Sequence, residues 1–355
     1  MSAPSAARCL PRATPERAAI PQPALRIGPY ELPNRVFSAP MAGVTDLPWR
    51  RLARRLGAGH CVSEMVASRA ELRGSRKSAL RMSHAGEPGP VAAQLLGVDA
   101  AEMADAALAN VRAGAQIIDI NMGCPAKKVC NRWAGSALMQ DEDLALRIVD
   151  AVVRAMLPLG VPVTLKMRTG WSREQRNAPR LAHAAQEAGV ALVTVHGRSR
   201  EQGYGGQAEY ETIAAIKSRL RIPVVANGDI DSADKARQVL AATGADAVMI
   251  GRAALGRPWL PGAIAQALRD GGAQRLPTLA EQGRWLLEHL REHHAHYGAA
   301  GIASARKHVG WAVAALPGGA QLRARFNTLL DPQAQLDAVA GYFDSLQHAM
   351  AAQPT

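Results

Sequence analysis

Residues 117–129 read IIDINMGCPAKKV, an apolar, β-prone run that ends at Asn121 and is followed by Cys124 between Gly123 and Pro125. Glycine and proline mark the end of regular structure, so Cys124 is predicted on a loop just past the carboxyl end of a strand. Parallel α/β barrels carry their catalytic groups at that end. A thiol there can serve as a nucleophile or a proton donor, although most free cysteines are small buried hydrophobes. The choice between these roles depends on what the other strand ends carry.

The same unit recurs along residues 36–255: a short apolar run, a polar or glycine-containing turn, and a helical pattern. Runs that are apolar throughout indicate strands buried on both faces, and their alternation with helices predicts parallel βα units. Eight units predict an α/β fold of the (β/α)8 TIM-barrel type, with a doubly wound open sheet as the alternative. The predicted strands are residues 36–40, 60–65, 90–96, 117–121, 163–168, 192–196, 223–227 and 247–251.

A second region follows the barrel pattern. The alternation stops after Pro258, Gly271 and Pro277 mark a linker, and residues 279–350 show helical periodicity only. Residues near the amino terminus are rich in proline, alanine and arginine and lack the apolar core of a signal peptide. We therefore predict a mobile tail over residues 1–24, a barrel over residues 25–270 and a small all-α domain over residues 271–355.

Composition favours a polyanionic partner. The 355-residue chain has a formal charge of +12, and basic side chains concentrate in residues 46–82. Composition alone is equally compatible with a soluble protein that is merely basic and has no polyanionic partner. The four cysteines have neither CxxC spacing nor the density of a secreted scaffold, which predicts a cytoplasmic protein. No apolar run reaches the ~18 residues of a membrane span. We expect no membrane association and a monomer.

No metal-binding or catalytic role is predicted for a histidine pair in the C-terminal region or for two of the other cysteines. His289 and His293 have the i, i+4 spacing of a metal pair, but no carboxylate or cysteine completes the set, so no metal is predicted. Cys61 and Cys130 are interpreted as packing residues.

Polar residues and glycines cluster at the predicted strand ends. Gln94, Lys166 and His196 lie on the third, fifth and sixth strands, and each alone is compatible with an internal structural role. Together with residues 227–229 and 251–252 they indicate a site, because all lie at the same face of a barrel. The glycines and Arg252 after the last two strands predict a phosphate site. Since no GxGxxG motif follows a strand, a mononucleotide such as a flavin fits better than a Rossmann-held dinucleotide.

Six motifs in this order resemble the bacterial tRNA-dihydrouridine synthases, and a seventh, ARKHVGW (305–311), resembles their B-type branch. The resemblance covers the chain from about Leu25 to the end of the helical region. The six motifs are APMAGVTD (39–46), INMGCPAKKV (120–129), LKMRTGW (165–171), VHGR (195–198), ANGDI (226–230) and MIGRAALGRPW (249–259).

The resemblance implies an FMN-dependent enzyme that reduces the C5=C6 bond of a D-loop uridine in tRNA, with NADPH as electron donor. Cys124 corresponds to the family's catalytic acid, and Asn121 to a contact with the target uracil. His196 falls in the cofactor neighbourhood. By resemblance, the residues that hold FMN are Pro40, Met41, Ala42, Gln94, Lys166, Asn227, Gly228, Asp229, Gly251 and Arg252.

A base in folded tRNA has to be extruded to reach a barrel mouth, so phosphate contacts are needed to orient the RNA. Arg198, Arg306 and Lys307 are the predicted substrate contacts, and Tyr204 is a candidate for stacking on a base. Two alternatives stay open: a barrel flavoenzyme acting on a free pyrimidine, and a tRNA-binding protein without catalysis.

Overall fold

The computed structural model describes residues 24–73, 75–130 and 134–351. The predicted mobile tail falls outside the described residues except for Ala24. The strands are β1 (Leu25–Ile27), β2 (Tyr30–Leu32), β3 (Val36–Ser38), β4 (His60–Cys61), β5 (Val66–Ala67), β6 (Ala92–Leu96), β7 (Ile117–Met122), β8 (Val163–Arg168), β9 (Leu192–His196), β10 (Val224–Asn227) and β11 (Ala247–Ile250).

Strands β3 to β11 form one parallel sheet in the order β4-β3-β11-β10-β9-β8-β7-β6-β5. A parallel bridge joins Val62, which follows the edge strand β4, to Ala92 of β6, the neighbour of the other edge strand, β5. The sheet therefore closes, and the predicted (β/α)8 barrel is confirmed over the doubly wound alternative, which leaves two open edges.

The second strand of the barrel differs from its prediction. The prediction of a continuous strand over residues 60–65 is wrong, because β4 and β5 are separate strands with an irregular segment between them. Ser63 interrupts the ladder: its hydroxyl, rather than a backbone carbonyl, accepts the hydrogen bond from the Gln94 amide at 3.0 Å. A side-chain oxygen that competes with the backbone in this way ends regular pairing.

An antiparallel hairpin, β1 and β2, precedes the barrel and was not predicted. Its residues Leu25, Ile27 and Leu32 are buried in one cluster with Ile117 and Ala247, which begin β7 and β11. The hairpin thus covers the amino-terminal end of the barrel and leaves the carboxyl end open for a site.

Helices surround the barrel and continue beyond it, with ends that follow from local sequence. Asp46 caps α1 by accepting from Trp49 N at 3.1 Å, and Asp99 caps α4 by accepting from Glu102 N at 2.8 Å. The helices around the barrel are α1 (Leu47–Arg55), α2 (Ala70–Arg73), α3 (Arg76–Met82), α4 (Ala100–Arg112), α5 (Lys127–Cys130), α6 (Glu142–Met156), α7 (Ala178–Glu187), α8 (Glu211–Lys217), α9 (Ala233–Thr243) and α10 (Leu260–Asp270).

The C-terminal region is helical, as predicted. Gly271, with a φ of 68°, ends α10, and Thr278 with Glu281 forms a capping box at the start of the next helix. Four helices pack around an apolar cluster of their own that includes Phe326 and Val339. They are α11 (Leu279–Tyr297), α12 (Ala299–Ala312), α13 (Gly319–Thr328) and α14 (Pro332–Ala351).

Candidate active site

Polar side chains of three neighbouring strands meet inside the barrel near its carboxyl end. Gln94 of β6 is opposite Asp119 of β7, and Asn121 of β7 is opposite Lys166 of β8. Asp119 and Asn121 are two residues apart, so they point to the same side of the sheet. The strand register therefore brings distant parts of the chain together as one polar group.

A continuous hydrogen-bond network joins these side chains. Asp119 accepts from Gln94 Nε2 at 2.7 Å and from the Thr164 hydroxyl at 2.6 Å. Gln94 Oε1 in turn accepts from Asn121 Nδ2 at 2.8 Å. Burial raises the pKa of Asp119 to about 6, against the two hydrogen bonds that lower it. The network holds the Asn121 side chain in one orientation.

Asn121 then shapes the loop that carries the thiol. Its Oδ1 accepts from the backbone N–H groups of Gly123 and Cys124, each at 3.0 Å. The carbonyl of Cys124 accepts from the Ser136 hydroxyl at 2.9 Å. Burial raises the pKa of the Cys124 thiol, so the sulfur keeps its proton at neutral pH. The predicted position just past a strand is therefore realised, with both sides of the residue anchored.

Lys166 reaches from β8 toward β10. Its Nζ donates to Asn227 Oδ1 at 3.0 Å, and Asn227 Nδ2 donates to the Met249 carbonyl at 2.8 Å. Burial, followed by repulsion from Arg168, lowers the pKa of Lys166 to about 8. An ammonium has three donors, and this contact uses one of them.

The ends of β9 and β10 are tied together by Arg198. Its guanidinium is 2% exposed and donates to both carboxylate oxygens of Asp229, at 2.9 and 2.7 Å. It also donates to the carbonyls of Gly205 and Gly206. The predicted RNA contact of Arg198 is therefore not retained, because its charge is neutralised and enclosed within the protein. Burial, followed by the nearby Lys166 charge, lowers the pKa of His196, so this ring is neutral.

The predicted phosphate residues lie together at the ends of β10 and β11. Gly228 has a φ of 130°, and a Cβ there would lie 2.7 Å from Ala208 Cβ, so a side chain does not fit. Gly251 precedes a short 3-10 turn, Arg252–Ala254, whose first N–H groups lack partners within the turn. The Arg252 side chain is half exposed and lies 3.5 Å from Asp229.

Residues 40–42 form the turn after β3. Pro40 and Met41 are partly buried, Ala42 is exposed, and the amide of Met41 donates to the Thr45 hydroxyl at 2.8 Å. Lys307 approaches this turn from α12: its Nζ lies 3.0 Å from the position that a Cβ would take on Gly43. The helical region thus places a cation beside the barrel mouth.

Arg168 and Asp119 are site residues that the sequence analysis missed. Arg168 Nε donates to the Gly123 carbonyl at 2.8 Å, and its NH1 group donates to the carbonyls of Ser199 and Gly203. It therefore joins the cysteine loop to the loop after β9. Their spacing in the sequence could have revealed both residues, because side chains two positions apart on a strand point to the same side of the sheet. Arg168 follows Lys166 by two residues, and Asp119 precedes Asn121 by two.

Tyr204 lies between two cations. Its ring is 5.6 Å from the Arg168 guanidinium and 5.0 Å from that of Arg252, and 58% of the residue is exposed. An exposed aromatic held by two guanidinium groups offers a stacking surface.

Within the basic stretch over residues 46–82, arginines of α1 contact the rest of the protein, whereas Arg69 and Arg76 are exposed. Arg50 of α1 is buried in an ion pair with Glu87 at 2.6 Å. Arg54 donates to the Pro88 carbonyl at 3.2 Å, and Arg55 pairs with Glu292 of α11 at 3.1 Å. These contacts hold α1 against its neighbours, and they use hydrogen-bond donors of the three arginines within the protein.

A second buried polar cluster lies outside the mouth, between α1, α11 and α12. His308 lies beside His289 and His293, and Asp46 lies 3.3 Å from His293 and 4.0 Å from His308, so the pair has more neighbours than the sequence suggested, whereas the absence of a metal stays a prediction. Asp46 is distant in sequence from all three histidines, so local spacing could not reveal the group. Arg306 and Lys307, next to His308, are both partly buried.

The closed barrel and its polar mouth are those of a TIM-barrel protein with its chemistry at the strand ends. A family profile for dihydrouridine synthase (Dus) matches residues 37–348, and the chain belongs to this family of oxidoreductases.

Relatives confirm the resemblance inferred from the motifs. The tRNA-dihydrouridine synthase B of Pseudomonas aeruginosa is 57% identical, with 91% of this chain and 97% of the relative covered. The protein of the same name from Escherichia coli is 50% identical, with coverage of 90% and 99%.

Solved structures share the fold. An old yellow enzyme homologue from Zymomonas mobilis has a TM-score of 0.52 at 15% identity, covering 73% of this chain and 95% of its own. Histamine dehydrogenase from Rhizobium has a TM-score of 0.55 at 13% identity, covering 90% of this chain and 64% of its own. Among the helices of the described residues, none has the length and apolarity that a bilayer crossing requires.

Proposed function

We propose that this protein is an FMN-dependent tRNA-dihydrouridine synthase. It reduces the C5=C6 bond of a D-loop uridine, with NADPH as the electron source and Cys124 as the general acid. It acts in the cytoplasm as a monomer, with residues 25–270 as the catalytic unit and residues 271–355 as the tRNA-binding unit. The network that anchors the cysteine loop within the barrel mouth is the observation that carries the proposal.

The residues present fit a flavin mononucleotide. Lys166 keeps donors beyond its bond to Asn227, and a cation beside a flavin's pyrimidine edge stabilises the reduced, anionic ring. Gly251 leaves open space where a side chain would lie, since its nearest neighbours there are 4.0 Å away, and Arg252 supplies a charge for a phosphate; Gly228 adjoins them in the proposed set. Gln94, His196, Asp229 and residues 40–42 complete the proposed cofactor set.

The reduction needs a hydride at C6, which reduced flavin supplies when bound, and a proton at C5. Cys124 holds that proton on Sγ, because burial keeps the thiol protonated. Asn121 fixes the Cys124 backbone, and its Nδ2 group, whose second donor has only the Met65 sulfur as a weak acceptor at 3.8 Å, is our proposed contact with the uracil. The thiolate left after transfer lies near the Arg168 and Lys166 charges, which favour it until a solvent proton restores the thiol.

Substrate binding extends over the mouth and the helical region. We propose that an extruded nucleotide enters past Tyr204 and Arg252, which lie together, and past Lys307 of α12, which approaches Gly43. We propose that Arg306 and Lys307 contact tRNA phosphates. A free pyrimidine would need none of these groups, and a non-catalytic tRNA-binding protein would need neither a protonated thiol nor a buried lysine.

The test is Cys124→Ala with Cys61→Ala as the matched control, because Cys61 is a buried thiol on β4 outside the mouth. Single-turnover reduction of tRNA uridine by the pre-reduced protein should fall about 10²–10⁴-fold in the first variant only, the usual loss for a general acid. Flavin content and flavin reduction by NADPH should stay unchanged in both variants.

Unchanged uridine reduction in Cys124→Ala would overturn the acid assignment. Purified protein without flavin, or reduction of free uridine as fast as tRNA, would overturn the proposed cofactor or substrate. Mapping dihydrouridine in tRNA from a deletion strain identifies the reduced position.

A further inference from the structure

Three buried histidines and one carboxylate meet where the C-terminal helices join the barrel. His289 and His293 come from α11, His308 from α12, and Asp46 is the residue that caps α1. All four are at least nine-tenths buried. One nitrogen from each histidine lies within 4.8 Å of the others. None of these residues belongs to the proposed active site.

Each histidine has a ring nitrogen without a hydrogen-bond partner among the described residues. These atoms are Nε2 of His289, Nδ1 of His293 and Nε2 of His308. A buried polar atom without a partner costs about 1–3 kcal/mol, and most native structures satisfy nearly all such atoms. Three of them in one cluster indicate that the cluster binds something.

The two ring nitrogens of His293 have different surroundings. Nε2 lies 2.7 Å from the Ser304 hydroxyl, which is also within hydrogen-bond distance of the Ala300 carbonyl, 3.0 Å away. When the hydroxyl donates to that carbonyl, it accepts from Nε2–H, and Nδ1 is left with the lone pair that a metal ion needs. Nδ1 lies 3.3 Å from Asp46 Oδ2, so both atoms can bind the same cation.

Asp46 has one oxygen to spare for such a cation. Its Oδ1 accepts from Trp49 N in the α1 cap, whereas Oδ2 lies 3.3 Å from His293 Nδ1 and 4.0 Å from His308 Nε2. In a tetrahedral zinc site with bonds of about 2.0–2.1 Å, neighbouring ligand atoms are about 3.4 Å apart. The Asp46–His293 spacing matches that value, and the Asp46–His308 spacing and the histidine spacings of up to 4.8 Å would contract when the ion binds.

We propose that Asp46, His289, His293 and His308 bind a divalent transition-metal ion, with zinc as the best match to three imidazoles and one carboxylate. Ser304 acts as the outer partner that orients His293, as the second hydrogen-bonding layer does in other histidine–metal sites. The site is closed on all sides by protein, which makes it structural rather than catalytic.

A proton is the rival occupant. A proton on His293 Nδ1 would be directed at Asp46 Oδ2, 3.3 Å away, with no metal ion between them. It would leave the ring nitrogens of His289 and His308 without partners, whereas a metal ion satisfies all three histidines at once.

Such a metal would fasten the helical region to the barrel. Asp46 closely follows the proposed flavin contacts at residues 40–42 in the sequence. His308 is next to Lys307, whose Nζ approaches Gly43 in the same turn. Metal binding would therefore hold the proposed tRNA-binding helix in register with the mouth.

The test uses the full chain, stripped of metal by a chelator and titrated with Co²⁺, whose visible absorption reports tetrahedral coordination. The wild type should bind one equivalent with a tetrahedral spectrum, and Zn²⁺ should displace it. Metal analysis of untreated protein should find one equivalent of a transition metal.

Two mild variants keep the test independent of folding. Asp46→Asn retains a good helix cap but loses the carboxylate, and Ser304→Ala removes only the outer partner. Each should weaken Co²⁺ binding by about tenfold to a hundredfold. His183→Ala, at an exposed histidine of α7, is the matched control and should leave the affinity unchanged.

Wild-type protein that binds no Co²⁺, or binds it without the tetrahedral spectrum, would overturn the proposal in favour of the protonated ion pair. Equal affinity in wild type, Asp46→Asn and Ser304→Ala would also overturn it, because the ion would then be elsewhere.

Discussion

Two buried polar clusters of this protein are built in opposite ways. In the mouth network, formed by Gln94, Asp119, Asn121 and Thr164, every buried side-chain nitrogen and oxygen has a hydrogen-bond partner. In the histidine cluster at α1, α11 and α12, three ring nitrogens of the described residues have none.

The difference indicates that the two clusters have different roles: one positions side chains, and the other binds an ion. A satisfied network is stable without a ligand and holds its members rigidly, here the loop of Cys124 and the Gln94 and Asn121 side chains that we propose contact the ligands. An unsatisfied cluster is destabilising until a ligand supplies the missing partners. We therefore assign the mouth network to positioning and the histidine cluster to ion binding.

Breaking the satisfied network should have the largest effect. Asn121→Ala leaves Gln94 Oε1 and two backbone N–H groups without partners, so the free energy of unfolding should fall by about 3 kcal/mol. Asn110→Ala is the matched control, because Asn110 is also fully buried but donates only to the Ala106 carbonyl within its own helix. Denaturant unfolding measures both, and equal losses would contradict the positioning role.

The histidine cluster predicts acid sensitivity in the metal-free protein. Burial, followed by repulsion from His293, lowers the pKa of His289 to about 4 despite the attraction of Asp46, and the pKa of His308 is also lowered. A depressed histidine pKa means that the unfolded chain binds the proton first, so stability is lost as pH falls from 6.5 toward 4.

For His289 alone this amounts to about 2 kcal/mol between pH 7 and pH 4.5. Denaturant unfolding across that range should show the loss in wild type, and His289→Gln should reduce it. His183→Ala serves as the control and should follow the wild type. Stability that is flat in wild type would show that the ring is already charged in the folded state.

Arg252→Ala tests the proposed contact between the barrel mouth and the phosphate of the flavin. Losing a guanidinium contact to a phosphate should raise the flavin dissociation constant by about tenfold. Arg257→Ala, at an exposed arginine shortly after it, should leave the constant unchanged. Fluorescence titration of apoprotein with FMN measures both, and full retention in Arg252→Ala would remove the phosphate assignment.

The smallest effect is expected at the proposed tRNA contacts of the helical region. Arg306→Ala and Lys307→Ala should each weaken tRNA binding a few-fold and flatten its salt dependence by about 0.7–0.9 in slope per lost contact. Arg154→Ala, at a mostly exposed arginine of α6, is the control. Identical salt series for wild type and the double variant would show that this segment does not contact tRNA.

Much of the fold was predictable because its signals are local. Apolar runs, turn glycines and helix caps act over a few residues, so the eight staves and the loop position of Cys124 followed from neighbours in sequence. The break between β4 and β5 did not, since it depends on the Ser63 hydroxyl meeting the Gln94 amide across two strands.

The sequence by itself determined the barrel, the helical C-terminal region, the family motifs and the strand ends on which the proposed site residues lie. Only the tertiary structure decided which charges are free. It buried Arg198 against Asp229 and Arg50 against Glu87, and it brought Asp46 to His308. The physical reason is that strand and helix signals arise from neighbours along the chain, whereas the burial and pairing of a charge depend on residues that meet only after the chain has folded.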